Sequence, residues 1–151
     1  MYFNGIEVDV LALGDADCIV VTQWADGTPH RLLIDGGCGD DAEGVIDFLQ
    51  SHGFTYFWAA LCTHLHNDHA RGLIKIVQGK TITIVNGWMH DIRNHVGADA
   101  LRRACRDDGV KEVVETTKEL ASSFASRRIT PQEPFAKNFI AGWPCASVLG
   151  P

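Results

Sequence analysis

Side chains alternate from Ile6 to Leu13. Ile6, Val8, Val10 and Ala12 fall on one side, and Glu7, Asp9, Leu11 and Leu13 on the other. A period of two predicts a strand. Gly14-Asp15-Ala16-Asp17 interrupts it as a turn, and Cys18 to Trp24, rich in Ile, Val and Thr, predicts a second strand. Ala25-Asp26-Gly27-Thr28-Pro29 is a hairpin turn that returns the chain as a third strand from Arg31 to Ile34. The period then lengthens. Val45, Ile46 and Leu49 stand at helical spacing between Ala42 and His52, and Gly53 stops the helix. Trp58 to Thr63 is apolar enough for a buried strand. His69 to Val77 carries a helical stripe of Leu73, Ile74 and Val77, and Thr81 to Val85 predicts a strand. Ala98 to Asp108 predicts a helix with Leu101, Ala104 and Cys105 inward, closed by Gly109. Beyond it the signal fades. Glu119 to Arg128 is weakly helical, Pro131 and Pro134 predict irregular chain through Ala141, and Ala146 to Leu149 starts a last strand. The order β-β-β-α-β-α-β-α predicts a layered α/β domain.

The densest chemistry lies between the buried strand and the helix that follows it. His64-Leu65-His66-Asn67-Asp68-His69 places three of the seven histidines and a carboxylate within six residues. Neutral imidazoles and a carboxylate are divalent-metal ligands, with zinc the first choice for this donor set. A strand end leading into a helix is also where open α/β sheets build their sites. In extended backbone, positions 64, 66 and 68 would project alike and position 69 would turn away. The bland alternative is a surface histidine turn with no metal. Asp35, in Leu32-Leu33-Ile34-Asp35-Gly36-Gly37, has two readings: it steadies a ligating histidine through the ring's other N–H, or it satisfies the amides of Gly36 and Gly37 within its own turn.

Thr63-His64-Leu65-His66-Asn67-Asp68-His69-Ala70-Arg71-Gly72 resembles the T-H-x-H-x-D-H-x-x-G signature of metallo-β-lactamase-fold hydrolases. The Asp35-Gly36 strand end is similar to the one that precedes that signature in the superfamily. The Val8 to Val21 hairpin resembles the opening of the ComEC-like competence-protein hydrolase domain and its stand-alone bacterial relatives, with Gly14-Asp15-Ala16-Asp17 in place of that group's Gly-x-Gly-Asp. The resemblance implies an α/β fold, the metallo-β-lactamase-like αββα sandwich. It assigns His64 and His66 to one metal and Asp68 and His69 to a second. Two zinc ions, or manganese, would then generate a hydroxide nucleophile, with Asp68 as the catalytic residue that orients it or shuttles a proton, and with Asp35 behind the ligands. Phosphodiester or nucleic-acid hydrolysis is the implied activity. Hydrolysis of a small ester, thioester or lactam is the alternative, and a non-catalytic metal-binding module is the reading outside enzymes. The superfamily's site also uses a bridging aspartate and a later histidine. None follows His95 in a matching context, so residues 1–151 are expected to be the N-terminal half to two-thirds of a domain whose C-terminal half is missing, with little activity alone.

Composition narrows the picture further. A chain of 151 residues with 46 % hydrophobic and 21 % charged side chains suits one domain with its own core. Residues 1–70 hold eleven acids and one base, Arg31, whereas residues 71–151 hold twelve bases and eight acids. An acidic half carrying the ligands attracts cations and not a bare phosphate backbone. Arg102, Arg103, Arg106 and Lys111 read first as a solvated helix face, with Asp99 at pairing distance along it. Met1 to Gly5 lacks the basic start of an export signal, and no apolar stretch reaches membrane-spanning length. The five cysteines form no C-x-x-C, which predicts free thiols and a cytoplasmic setting. Asp15 and Asp17 read as turn residues, His90 and His95 as loop histidines, His30 and His52 as surface residues, and Trp88 and Trp143 as core or rim packing.

Overall fold

The computed structural model describes residues 4–135 and Ile140. Five strands form one sheet in chain order: β1 (Gly5–Val10), β2 (Ile19–Ala25), β3 (Thr28–Ile34), β4 (Tyr56–Leu61) and β5 (Thr83–Trp88). The first three are an antiparallel meander. Its β2–β3 turn is only Asp26-Gly27, both at positive φ (51° and 77°). That is the primed two-residue turn whose twist matches the flanking strands. From β3 onward the pairing is parallel, with Leu33 opposite Ala60 and Ala60 opposite Gly87. Each parallel step needs a crossover, supplied by α1 (Ala42–Ser51) and α2 (Asn67–Gly79). A 3-10 turn (Ile92–Asn94), α3 (Ala98–Ala104) and α4 (Asp108–Ser126) follow β5.

The core explains why these helices share one face. Val20, Leu33, Phe57 and Ala60 of the sheet pack with Val45 and Leu49 of α1, Leu73, Ile76 and Val77 of α2, and Leu120 and Phe124 of α4. A Cβ on Gly87 would lie 2.8 Å from the Phe124 ring, so the bare strand position is what lets α4 settle on the sheet. The opposite sheet face carries a smaller cluster, Leu32, Ala59, Trp88 and Ile140. On the edge strand β1, Ile6, Val8 and Val10 are exposed. One helical layer on one mixed sheet is half of the αββα sandwich. No helix among the described residues is long and apolar enough to cross a membrane.

The elements agree with the sequence pattern as far as β5 and then depart from it. The predicted helix from Ala98 to Asp108 is two helices. α3 ends at Ala104 and buries nothing, and Gly109 lies inside the first turn of α4 and does not stop a helix. The Asp107 side chain caps α4 by accepting from Val110 N–H at 3.0 Å. At 19 residues α4 is the longest helix, yet only its end was legible. Its buried stripe includes Thr116, Thr117 and Ser123, which mask the apolar period. Thr117 and Ser123 return their hydroxyl protons to the carbonyls four residues back, at 2.7 and 2.8 Å, which makes their burial tolerable. Strand β5 runs three residues further than predicted, through Asn86-Gly87-Trp88. The last strand predicted from Ala146, and Trp143, lie outside the described residues.

Four cysteines are described, and all are free thiols. Cys18 and Cys62 are buried, and burial together with the Asp35 charge pushes Cys18 up to about 12 and Cys62 further. Thiolate is the reactive form. Native protein at pH 8 is therefore expected to modify Cys38 and Cys105 with a disulfide reagent and to spare Cys18 and Cys62 until denaturant is added. Equal rates for all four in a stopped-flow thiol titration would contradict this.

Candidate metal centre at the ends of β3 and β4

Three separate pieces of sequence meet at one place: the loop after β1, the end of β3, and the link from β4 into α2. Backbone hydrogen bonds join them. Asp17 N–H donates to Asp68 O (3.3 Å), Gly37 N–H to Asp17 O (2.8 Å), Gly36 N–H to His69 O (2.9 Å) and Gly72 N–H to Gly37 O (2.8 Å). The β3 loop and α2 touch backbone to backbone. A Cβ on Gly36 would lie 2.1 Å from Leu73 N, and one on Gly72 would lie 1.8 Å from Gly36 O. Only glycine fits at either point.

Asp35 is the pivot. It is buried at 2 % exposure and holds φ +57°, a left-handed conformation that costs an L-residue energy and is retained where surroundings enforce it. Its Oδ1 accepts from Thr63 N–H at 2.8 Å, and its Oδ2 accepts from Thr63 Oγ1–H at 2.6 Å. His69 Nδ1 lies 2.9 Å from the same Oδ2. The amides of Gly36 and Gly37 go to other carbonyls, so the self-contained turn is not what Asp35 makes. A carboxylate only accepts, so His69 Nδ1 carries a proton, and in the neutral ring Nε2 keeps its lone pair. The Thr63 hydroxyl proton is spent on Asp35, and the hydroxyl oxygen is left to accept from His64 Nδ1, 3.1 Å away. In the neutral ring with Nδ1 donating, His64 Nε2 also presents a lone pair. Thr63 is a positioning residue that sequence reasoning did not single out, although it opens the signature-like stretch.

Donor atoms of His64, Asp68 and His69 all lie within 4.8 Å of one another. The His64 and His69 rings stand 3.7 Å apart, and His69 Nε2 is 3.3 Å from Asp68 Oδ2. His66 is placed differently. It is the exposed N-cap of α2, its ring edge-on to His64 at 4.9 Å, outside the close donor set. The expected alternation of 64, 66 and 68 ends because Asn67 already begins the helix. Helical backbone turns Asp68 and His69 together toward His64. The thiol of Cys62 donates to His64 O at 3.0 Å and steadies the link.

The surroundings are acidic. Cys38, in the β3–α1 loop, is pushed up by partial burial and then by the charges of Asp41, Asp68, Asp40 and Asp15. Asp17 Oδ2 is 3.7 Å from His69 Nδ1. Arg102 pairs with Asp99 on its own exposed helix. Arg71 instead crosses to Glu119 of α4 at 2.5 Å, and Asn67 donates to Glu112, so α4 fastens the start of α2. Beside His66 an open groove of about 550 Å³, walled by Leu65, Ile92, Val110 and Val113, runs between those two helices.

Sheet, crossovers and site position together define a metallo-β-lactamase-like fold. Solved structures that share it include the following two. A candidate metallo-beta-lactamase from Thermotoga maritima superposes on 88 % of this chain with a TM-score of 0.52 and 13 % identity. The hydrolase AbOPH of the beta-lactamase superfamily superposes on 83 % with a TM-score of 0.56 and 18 % identity. The chain spans 60 % and 45 % of the length of those two proteins. No protein-family model matches the sequence, and no curated protein matches it either.

Proposed function

We propose that the chain carries the metal-binding end of a divalent-metal-dependent hydrolase, with His64, Asp68 and His69 as ligands and His66 completing the set. The observation that supports this most is the proton chain from Asp35 through Thr63. It supports both imidazoles at Nδ1 and, with the rings neutral, leaves Nε2 of each as a ligand atom near one carboxylate. Ligating imidazoles typically receive such support at the ring nitrogen that does not bind the ion. Zinc suits two imidazoles and a carboxylate, and manganese is the second choice. A bound ion would supply Lewis acidity and a water acidified toward neutrality. Asp68, only half-buried and with Oδ2 3.3 Å from His69 Nε2, would offer the same ion a carboxylate bond. His66 fronts the apolar groove, where a substrate's acyl or aryl portion would lie.

The substrate follows from charge. Asp15, Asp17, Asp40 and Asp41 near the ligands repel a polyanionic backbone, which favours a small phosphodiester, ester, thioester or lactam over nucleic acid. Purified chain is expected to bind zinc. His64→Ala, whose ring is exposed, is expected to lower zinc affinity by more than about 100-fold, because even a supporting partner typically costs 10–100-fold. Equal zinc content in His64→Ala and the parent, measured by elemental analysis after dialysis, would rule the centre out. Turnover of bis(p-nitrophenyl) phosphate against p-nitrophenyl acetate, with zinc or manganese, separates the phosphodiester and acyl readings.

A further inference from the structure

A second group of metal-type donors lies at the end of the neighbouring strand. His90 follows β5, His95 closes the 3-10 turn, and Glu133 comes from the segment after α4. Donor atoms of all three lie within 4.8 Å of one another. That segment is held in place by a parallel bridge of Gln132 to Trp88. Gln132 N–H donates to Gly87 O and Met89 N–H to Gln132 O, each at 2.9 Å. The bridge brings residue 133 back across nearly 40 positions of sequence to the two histidines.

We propose that His90, His95 and Glu133 form a divalent-cation site of the two-histidine, one-carboxylate type, separate from the His64 centre. Three observations carry it. First, His95 Nε2 stands 3.0 Å from each Glu133 oxygen. Donors around a tetrahedral ion with bonds of about 2.0–2.2 Å stand roughly 3.3–3.5 Å apart, so the pair needs little movement to share an ion. Second, the carboxylate is oriented from behind. Asp91 N–H donates to Glu133 Oε1 at 2.9 Å and Asn94 Nδ2 at 3.3 Å, the kind of support that metal-ligating carboxylates receive. Third, both rings are set against one apolar edge. The Phe135 ring meets His90 at 5.4 Å and His95 at 5.6 Å, both edge-on, and with Leu65 and Ile92 it lines an open hollow of about 320 Å³ beside the donors. A His95–Glu133 ion pair accounts for two of the three groups. His90, brought from a different element, adds a third donor atom within 4.8 Å of the other two, which the ion pair alone does not call for. Three donors would leave an ion at least one further position, next to the hollow, the pattern of an exchangeable rather than a fully closed site. Zinc and cobalt(II) are the ions that this donor set suits.

The test uses the full chain with the His64 centre disabled at two of its less buried positions, His64→Ala with Asp68→Ala, titrated with cobalt(II) alone. This double variant is expected to retain one cobalt equivalent, with a visible ligand-field band of a four- or five-coordinate ion. Adding His90→Ala is expected to weaken that binding by more than about 100-fold, since losing a supporting partner already costs 10–100-fold. Glu133→Gln keeps an acceptor for Asp91 N–H and is expected to do the same. Metal-free melting temperatures of these variants match their background if the effect lies in ligation and not in folding. A double variant that binds no cobalt, or binding unaffected by His90→Ala, overturns the proposal and leaves His95–Glu133 as an ion pair. Because the His64 centre is absent from this background, either result is independent of the function proposed for that centre.

Discussion

Asp35→Asn should leave the chain folded and yet weaken metal binding at the His64 centre by about 10–100-fold, the range for losing an oriented partner of a ligating histidine. Asparagine tolerates the φ of +57° that residue 35 adopts, and its carbonyl still accepts from Thr63 N–H. The change falls on the other oxygen. An amide nitrogen there donates where Oδ2 accepted. His69 Nδ1 must then hold a lone pair, and its proton moves to Nε2, the atom that faces Asp68. Thr63 is reversed as well. Its hydroxyl accepts from the amide and turns its own proton to His64 Nδ1, so His64 also becomes protonated at Nε2. One substitution inverts both imidazoles. Chelator competition reads the affinity, and nitrogen NMR of the two rings reads the tautomers. Unchanged affinity with inverted tautomers would show that the ligand atoms are not Nε2. Asp35→Ala is the blunter variant, since it also leaves three donors without their acceptor.

The largest loss of stability should come from a single methyl group. Gly72→Ala places a Cβ 1.8 Å from Gly36 O, and Gly36→Ala places one 2.1 Å from Leu73 N. Backbone meets backbone, and no rotamer change relieves either clash. Each is expected to cost more than about 4 kcal/mol, the range reserved for disruption of packing at a fixed point. That is a large part of the roughly 5–15 kcal/mol that holds a domain of this size together. Gly44→Ala on α1 is the control. Its Cβ meets nothing within 4 Å, and alanine there should stabilise by about 0.5–1 kcal/mol. Urea unfolding of the three variants decides the matter. A Gly72→Ala protein that unfolds at the parent's midpoint would mean that α2 does not cross the β3 loop in backbone contact.

What could be read from the sequence follows the strength of each physical signal. The meander and α1 announce themselves through alternation, a two-residue turn and a helical stripe ended by glycine. The histidine-rich turn stands out because four donor residues in six positions have few other uses. The placement of Asp35 behind His69 was one of two open readings, because a lone carboxylate after a strand serves a turn equally well. Only the parallel pairing of β3 with β4, which lays Thr63 beside Asp35, separates them. α4 was missed because Thr116, Thr117 and Ser123 occupy its buried stripe. The His90–His95–Glu133 group was illegible for a different reason: its third member arrives through a single bridge pair after a long helix, and no local pattern encodes that.

Parallel pairing also orders events in time. The β1–β2–β3 meander closes through short turns and can zip early, whereas Asp35 meets Thr63 across 28 residues and His69 across 34. Closing such loops costs entropy before any contact repays it, so parallel crossovers come late in folding. The imidazoles near His64 therefore lack the partner that orients them until the chain has passed its main kinetic barrier. An ion that needs them oriented gains little in the transition state. Saturating metal is expected to leave the refolding rate where it was and to act entirely on the unfolding rate, lengthening the lifetime of the native chain.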